Sequence, residues 1–188
     1  MQDRNAPPLP AATRRQLMIG AAAASAGLAL GTSTARADMA DGIARNAAAI
    51  HQEPIFQASR HRIYAVLTEP RQFDRVVALS AARQAMAIGS KPSAIGSTAG
   101  SAFTLFGGYI TGRQLELVPG TRIVQAWRTQ SWSEGAWSIA RFELTEEGAG
   151  TRILFDHRGF PDDQADHLAA GWQANYWQPL EKYLARQK

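Results

Sequence analysis

Two pairs of residues combine a carboxylate with an imidazole, the side chains that most often carry acid-base or metal chemistry. Asp156 and His157 are neighbours in a predicted strand, where successive side chains point to opposite faces, so they cannot form a catalytic dyad. Asp163 and His167 are four residues apart in a predicted helix and share a face, a spacing used by metal sites. A solvated first helical turn explains this second pair better. We therefore predict no catalytic residue and no metal site.

Motifs for other chemistries do not occur in this sequence. The chain has no cysteine, which excludes disulfides, thiolate chemistry and cysteine-ligated zinc. It contains no Gly-x-Ser-x-Gly elbow, and "GGYITG" at 107–112 has the wrong glycine spacing for binding a dinucleotide. Glu116, Glu134 and Glu143 show no pairing that would support acid catalysis. No cofactor is predicted.

The last segment is rich in aromatic residues. "GWQANYWQPLEKYL", residues 171–184, holds two tryptophans and two tyrosines. In a helix that advances 100° per residue, several side chains lie within about 60° of Trp172. These are Ala165, Leu168, Ala169, Tyr176 and Tyr183. The pattern predicts a helix from Asp162 to Ala185 with one aromatic face.

Two residues inside this predicted helix have low helical propensity. Gly171 costs about 1 kcal/mol relative to alanine, which indicates a close approach of the helix to the sheet. Pro179 removes a backbone donor and is expected to bend the helix axis. A bent helix could follow a curved sheet.

The elements before this helix indicate an α+β fold with an antiparallel sheet. "PIFQAS" at 54–59 is typical of a short strand, and Ser59 can cap a helix that ends before Pro70. A second short helix is predicted at 71–82 and a Gly, Ser and Pro-rich loop at 87–101. Strand patterns separated by turns follow from residue 102 to residue 160, without intervening helices, which favours antiparallel hairpins over a parallel sheet.

Alternation along the strands predicts which side chains face the helix. Ile153, Phe155 and His157 form the more apolar face of the last strand, and we place them inward. The same argument places Ser138, Ala140, Phe142 and Leu144 inward, and favours Ile123, Gln125 and Trp127 over their neighbours. The predicted inner wall of a cavity between sheet and helix then contains ten residues: Phe103, Leu105, Gln125, Trp127, Phe142, Phe155, His157, Trp172, Asn175 and Tyr176.

Each of these candidates also has a structural interpretation. Trp172 and Tyr176 are typical of core residues in any fold. His157 inside a strand is more often a hydrogen-bonded core histidine than a catalytic base. Trp177 lies about 140° from Trp172 in a regular helix, so it either packs on the N-terminal lead-in or marks a surface for a protein partner. Trp132 lies in a predicted loop, where it could guard a pocket entrance.

The N-terminal segment has the pattern of an export signal. Arg14 and Arg15 precede an apolar run from Leu17 to Leu30, and "ARA" at 35–37 offers small residues for a signal peptidase. The paired arginines and the Ala and Gly-rich run favour the twin-arginine route. We therefore predict a signal peptide at 1–37, a lead-in at 38–53 that is loose or forms a short helix, and a single domain at 54–188. The protein is expected to be periplasmic or otherwise exported, without stable membrane insertion after cleavage.

The charge of the predicted mature chain argues against nucleic acid as a partner. Residues 1–37 contain four arginines and one aspartate, which leaves 16 basic and 15 acidic residues in the remainder. These basic residues are scattered, so they form no patch that would bind a phosphate backbone. The basic isoelectric point belongs largely to the signal segment.

The order of elements resembles the helix-grip fold of the START and birch-pollen-allergen superfamily, SRPBCC. "LFGGYITGRQLELVPGTRIVQAWR", "HRGFP" at 157–161 and Gly171-Trp172 with the following Tyr176 are similar to the domain named for the activator of the heat-shock-protein-90 ATPase. The likeness covers about residues 54–186. It implies a curved antiparallel sheet wrapped around the long C-terminal helix, with two short helices after the first strand and often an apolar cavity. It does not imply one activity, since members bind lipids, hormones or polyketides, assist chaperones, or catalyse cyclisation or hydrolysis.

The expected function is binding of a small apolar or amphipathic molecule in this cavity by an exported protein. Two other classes stay open. An enzyme would use His157 or Tyr176 as a proton donor or acceptor in the same cavity. A chaperone-like interaction module would use the Trp177 flank.

Overall fold

Eight strands form one curved antiparallel sheet in the computed structural model, which describes residues 48–186. The sheet order is β1-β8-β7-β6-β5-β4-β3, and β2 also pairs with β8. The strands are β1 Ala49–Gln52, β2 Ile55–Phe56, β3 Ala94–Ile95, β4 Ala102–Leu105, β5 Ile110–Val118, β6 Arg122–Thr129, β7 Ser138–Glu147 and β8 Gly150–Arg158. The predicted signal segment at 1–37 and the lead-in up to residue 47 lie outside the described residues.

Five α-helices accompany the sheet within residues 48–186. They are α1 Arg60–Thr68, α2 Pro70–Val77, α3 Ala81–Gln84, α4 Ala165–Trp172 and α5 Gln178–Ala185. The predicted cap of α1 is confirmed, because the Ser59 side chain accepts a hydrogen bond from the backbone N–H of Arg62. The single helix expected at 71–82 is divided, since Ser80 caps α3 in the same way. Within residues 48–186, no helix has both the length and the apolar character needed to cross a bilayer.

The segment before β2 differs from the expected loose lead-in or short helix. Ala49–Gln52 form β1, and Ile50 lies opposite His157 on β8. Ile50 is buried while its neighbours Ala49 and His51 are exposed, so this segment follows the two-residue period of a strand. By pairing with β8 it covers what would otherwise be an open sheet edge.

The strand alternation predicted from the sequence is confirmed. Phe142 and Leu144 on β7 are buried, as are Ile153 and Phe155 on β8, and all four belong to one core cluster. The inward face predicted for β6 is also correct, because Ile123, Gln125 and Trp127 are the buried set. The core therefore lies between the concave face of the sheet and the C-terminal helix.

The C-terminal helix starts later than predicted and contains a wide turn. Asp162 and Asp163 precede α4, and Asp163 has a φ of 63°, which is incompatible with a right-handed helix. Asp163 and His167 therefore do not share a helix face. Between α4 and α5, residues Gln173–Trp177 form a π-helical segment, in which the backbone N–H of Gln178 binds the carbonyl oxygen of Gln173.

This π-helical segment corrects the prediction for Trp177. A turn closed by bonds between residues five apart brings Trp172 and Trp177 onto one face, whereas a regular helix would separate them. Their rings stack at 5.8 Å with an interplanar angle of 22°. Trp177 is 3% exposed, and its indole N–H donates to the side-chain oxygen of Gln52. Of the two interpretations of Trp177, packing on the N-terminal lead-in is therefore correct, and a surface for a protein partner is wrong.

Gln52 links β1 to the C-terminal helix through two hydrogen bonds. It accepts from Trp177 and donates to the carbonyl oxygen of Ala169 at 3.1 Å. Gln52→Leu leaves the Trp177 indole N–H without a partner. It also removes one bond from the Ala169 carbonyl oxygen, which still accepts from the backbone N–H of Gln173. We therefore expect the free energy of unfolding to fall by about 1–3 kcal/mol. Urea denaturation measures this change, and Gln57→Leu at an exposed position is the matched control. Equal stability of the two variants would show that β1 does not hold the helix.

Candidate ligand-binding cavity

A cavity of about 340 Å³ lies at one end of the core, where the C-terminal helix and the sheet diverge. Its walls come from α3 and the following loop, from the turn between β4 and β5, from β6, and from α4 with the π-helical segment. The lining residues are Ala82, Ala87, Ile88, Phe106, Tyr109, Ile110, Trp127, Thr129, His167, Leu168, Gly171, Trp172, Asn175 and Tyr176.

Gly171 leaves room for this cavity, contrary to the predicted close approach to the sheet. A Cβ atom built on Gly171 would have no heavy atom within 4 Å. The helix surface at this point therefore borders open space. The two small side chains of Ala82 and Ala87 add to this space from the opposite wall.

Aromatic rings form the floor and one wall of the cavity. Trp172 packs on Tyr176 with ring centroids 4.2 Å apart and on Trp127 at 5.7 Å. Phe106 lies 5.3 Å from Tyr176 and has a positive φ of 50°, which turns its side chain into the core at the end of β4. Such contacts limit how far the rings can rotate, so the floor and this wall of the cavity are aromatic.

The structure brings four of the ten predicted wall residues to the cavity: Trp127, Trp172, Asn175 and Tyr176. The other six, Phe103, Leu105, Gln125, Phe142, Phe155 and His157, are buried deeper on the inward face of the sheet. The ring of Trp172 packs on three of these six, with centroid distances of 4.3 Å to Phe155, 5.6 Å to His157 and 5.8 Å to Phe142. The two-residue alternation of the strands predicted the inward face of the sheet correctly. The cavity does not extend over β7 and β8, because aromatic side chains of the C-terminal helix fill the space there.

His157 is held by hydrogen bonds at both ring nitrogens. The Trp172 indole, which can only donate, lies 3.0 Å from Nδ1, so Nδ1 carries no proton. Nε2 therefore carries the proton and donates to the Ser138 hydroxyl at 2.7 Å, and that hydroxyl donates to the carbonyl oxygen of Trp127 at 2.9 Å. This chain of donors and acceptors is complete and requires a neutral imidazole.

Burial keeps this imidazole neutral. It lowers the pKa of His157 to about 4, because a charged ring would be removed from water without a counter-charge. With both nitrogens occupied and no part of the residue exposed, His157 cannot take a proton from a molecule in the cavity. The structure therefore supports the core interpretation of His157 over the catalytic one.

Asn175 connects the helix to the opposite wall. Its side-chain oxygen accepts a hydrogen bond of 2.9 Å from the backbone N–H of Ala82. This contact satisfies one free donor at the start of α3, where backbone N–H groups have no partner within the helix. Asn175 thus sets the width of the cavity between the π-helical segment and α3.

Two polar atoms of the cavity wall have no hydrogen-bond partner among residues 48–186, namely the Tyr176 hydroxyl and the Trp127 indole nitrogen. Burial raises the pKa of Tyr176 above its ordinary value, and the adjacent Trp127 side chain opposes this rise. The two groups are thus neighbours, although they do not form a hydrogen bond of acceptable geometry. A buried donor without a partner costs about 1–3 kcal/mol.

The cavity mouth is polar but carries no permanent charge. The Thr129 hydroxyl lies 2.8 Å from that of Ser131, which is also 3.3 Å from the Tyr109 hydroxyl. His167 is exposed at the edge. The lining contains no Asp, Glu, Lys or Arg.

The remaining candidates lie away from the cavity. Asp156 is on the outer face of the sheet, where its carboxylate is 3.0 Å from the His51 ring. Trp132 is buried and packs against Trp127 at 5.5 Å, so it is a core residue of the β6–β7 connection. Strand alternation could not predict the part of the lining that lies outside long strands. This part consists of Ala82 on α3, Ala87 and Ile88 in the following loop, and Phe106 in the turn after β4. The one available signal was Gly171, whose low helical propensity marks an unusual position.

Comparison with known proteins places this fold in a family. Residues 57–185 match the family described as "Activator of Hsp90 ATPase homolog 1-like protein". The chain belongs to this family. Because the matched region starts just after β2 and ends with α5, it covers β3–β8, the cavity and the C-terminal helix.

Curated relatives of this activator-like chain include proteins from animals and an amoeba. It is 28% identical over 116 residues to the mouse "Activator of 90 kDa heat shock protein ATPase homolog 1". The aligned region covers 62% of this chain and 34% of the mouse protein. It is 35% identical over 77 residues to the Dictyostelium discoideum homolog, which covers 40% of this chain and 20% of that protein. The chain therefore spans about a third or less of the length of these relatives.

Solved structures support the helix-grip fold. An HSP90 activator from Plasmodium falciparum superposes with a TM-score of 0.64 at 18% identity, covering 73% of this chain and 96% of that one. A protein from Chromobacterium violaceum superposes with a TM-score of 0.56 at 22% identity, covering 71% of this chain and 94% of the other. At these identities the likeness establishes the fold alone.

Neutral His157 predicts a loss of stability in mild acid. Its pKa lies near 6.5 when unfolded and about 4 when folded, so the unfolded chain binds the extra proton between these values. The contribution of neutral His157 to the free energy of unfolding is therefore complete above pH 6.5. Roughly 3 kcal/mol of it is lost as the pH falls toward 4. Urea denaturation of this activator-like protein from pH 7 to pH 4 measures the loss.

His157→Gln is the control variant, because an amide can accept from Trp172 and donate to Ser138 without titrating. The difference in unfolding free energy between the two proteins isolates His157 from exposed groups. Among those, His51 has a pKa raised by Glu53 and Asp156, so it acts in the opposite direction. The same pH dependence in both proteins would contradict a neutral, buried His157.

Proposed function

We propose that this protein binds a small apolar or amphipathic molecule in the cavity between the sheet and the C-terminal helix. The cavity itself, about 340 Å³ and lined mostly by aromatic and aliphatic side chains, is the observation that carries the proposal. Ligand sites typically have about 300–1,000 Å³, an apolar lining and a few polar groups that orient the ligand. The hydroxyl groups at the mouth and the polar atoms of Trp127 and Tyr176 fit that description.

The size of the cavity limits the molecule. Its volume of about 340 Å³ is at the small end of the range of about 300–1,000 Å³ for ligand sites. This favours a compact molecule of one or two rings or a single short chain. Enzymatic use of the cavity receives no support from His157, whose two nitrogens are both occupied.

Gly171 offers a direct test of this site. A leucine at this position fits the helix and projects into the cavity, because a Cβ there meets no heavy atom within 4 Å. Gly171→Leu should therefore abolish binding of 1-decanol and 2-acetylnaphthalene while the protein stays folded. Ligand-induced increases in melting temperature measure the binding, since a ligand at 100 times its dissociation constant adds about 2.7 kcal/mol of stability.

Ala170→Leu is the matched control, because Ala170 is the exposed neighbour of Gly171 and does not line the cavity. It should bind both probes as the wild-type protein does. Equal binding by the Gly171→Leu variant would place the probes elsewhere and contradict the proposal. If the wild-type protein binds neither of the two probes, the proposal is also contradicted.

We also propose that the protein is exported through the twin-arginine route and acts in the periplasm. The paired arginines before the apolar run from Leu17 to Leu30 support this proposal. Arg14→Lys together with Arg15→Lys should keep the full-length precursor in the cytoplasm. Fractionation of a bacterium with a twin-arginine translocase, followed by immunoblotting, measures the distribution. A wild-type chain that stays entirely cytoplasmic would contradict export.

A cytoplasmic result would favour a second function, that of a chaperone-like interaction module. The family and the names of its curated relatives support this alternative. Exposed side chains on the outer face of the sheet also support it, because Trp137 is 45% exposed and Ile139 is 42% exposed. Arg128 lies over the Trp137 ring at 5.5 Å, which gives this surface a cation beside an aromatic group.

A further inference from the structure

The lining of the cavity disfavours a charged ligand. None of the 14 lining residues is Asp, Glu, Lys or Arg, and the one titratable imidazole, that of His167, is at the exposed edge. A carboxylate or an ammonium group placed inside would lose its water without gaining a counter-charge, which is costly. The part of the ligand that enters the cavity is therefore uncharged.

The aromatic lining favours a flat ring. Five of the 14 lining residues are aromatic, namely Phe106, Tyr109, Trp127, Trp172 and Tyr176. Aromatic pairs in offset or edge-to-face geometry gain stabilisation beyond the burial of area, which an aliphatic chain does not. A flat ring therefore gains more from these walls than a short alkyl chain of equal volume.

The two polar atoms without partners indicate where a polar group of the ligand would lie. Trp127 is 3% exposed and Tyr176 is 5% exposed, and both line the cavity. The indole nitrogen of Trp127 can only donate, and the Tyr176 hydroxyl can also donate. One carbonyl oxygen, with two lone pairs, can accept from both.

We propose that the cavity selects an uncharged aromatic carbonyl compound. Its ring packs against the aromatic wall, and its carbonyl oxygen accepts hydrogen bonds from the Trp127 indole N–H and the Tyr176 hydroxyl. Both polar atoms are covered by neighbouring side chains in this structure, so a small rotation of the Tyr176 ring accompanies binding. This inference rests on the proposed function and specifies its ligand class.

Four probes of similar size separate the contributions. They are 2-acetylnaphthalene, 2-ethylnaphthalene without the oxygen, 2-naphthoate with a charge, and the aliphatic ketone 2-undecanone. Titrations are followed by two-dimensional ¹H,¹⁵N spectra of the full chain, in which each tryptophan indole N–H gives its own signal. We expect 2-acetylnaphthalene to bind about tenfold more tightly than each of the other three, consistent with one or two hydrogen bonds. Only the two ketones should move the Trp127 indole signal downfield.

Tyr176→Phe removes the hydroxyl and keeps the ring. It should weaken binding of 2-acetylnaphthalene about threefold to tenfold and leave 2-ethylnaphthalene unchanged. The free variant should melt at a higher temperature than the wild-type protein, because a buried hydroxyl without a partner is removed. Tyr183→Phe is the control, since the Tyr183 hydroxyl accepts from Arg62 at 3.2 Å and the residue does not line the cavity. This control should bind all probes normally and melt at a lower temperature.

The outcomes distinguish this inference from the proposed function. If 2-acetylnaphthalene and 2-ethylnaphthalene bind equally, or Tyr176→Phe binds the ketone normally, the carbonyl assignment is overturned while cavity binding stands. Equal or tighter binding of 2-naphthoate overturns the uncharged class, and the same result for 2-undecanone overturns the aromatic class. If none of the four probes binds, the proposed function fails as well.

Discussion

The hydrogen bond from the Trp172 indole to His157 fixes the C-terminal helix on the sheet. It joins the two layers at the centre of the core, where Trp172 also packs on Phe155 at 4.3 Å. The Trp172 indole N–H can only donate, and the buried, neutral imidazole offers it one acceptor, the Nδ1 atom of His157. This single pairing sets the rotation of the helix about its axis. An apolar pair at these positions would provide burial without this orientation.

The cavity follows from that orientation. Over β7 and β8 the helix rings fill the space against Phe142 and Phe155, and the π-helical segment adds Trp177 to the same face. Toward β4 and β5 the helix presents Gly171 and Asn175, which leave space up to α3. The protein therefore combines a tightly packed half with an open half, and the unpartnered polar atoms of Trp127 and Tyr176 belong to residues that line the open half.

Sequence reasoning was most accurate where a regular period covers a long element. The two-residue period of β6, β7 and β8 gave correct predictions, since every residue that it placed inward is buried. The helical period correctly placed Trp172 and Tyr176 on the face that packs against the sheet. It failed at Trp177, because a π-helical turn changes the period within the helix, and a sequence pattern does not reveal such a turn. It also missed the wall formed by α3 and the turn at Phe106, whose positions depend on tertiary contacts such as the one between Asn175 and Ala82.

A crystal of the protein under xenon pressure tests the central claim most directly. Xenon enters apolar cavities that have room for it, without needing a particular ligand chemistry. The account predicts a xenon peak beside Gly171, in contact with the rings of Trp172 and Tyr176. Well-ordered density for these rings with no xenon between the helix and α3, or xenon only between the helix and β7–β8, would contradict it.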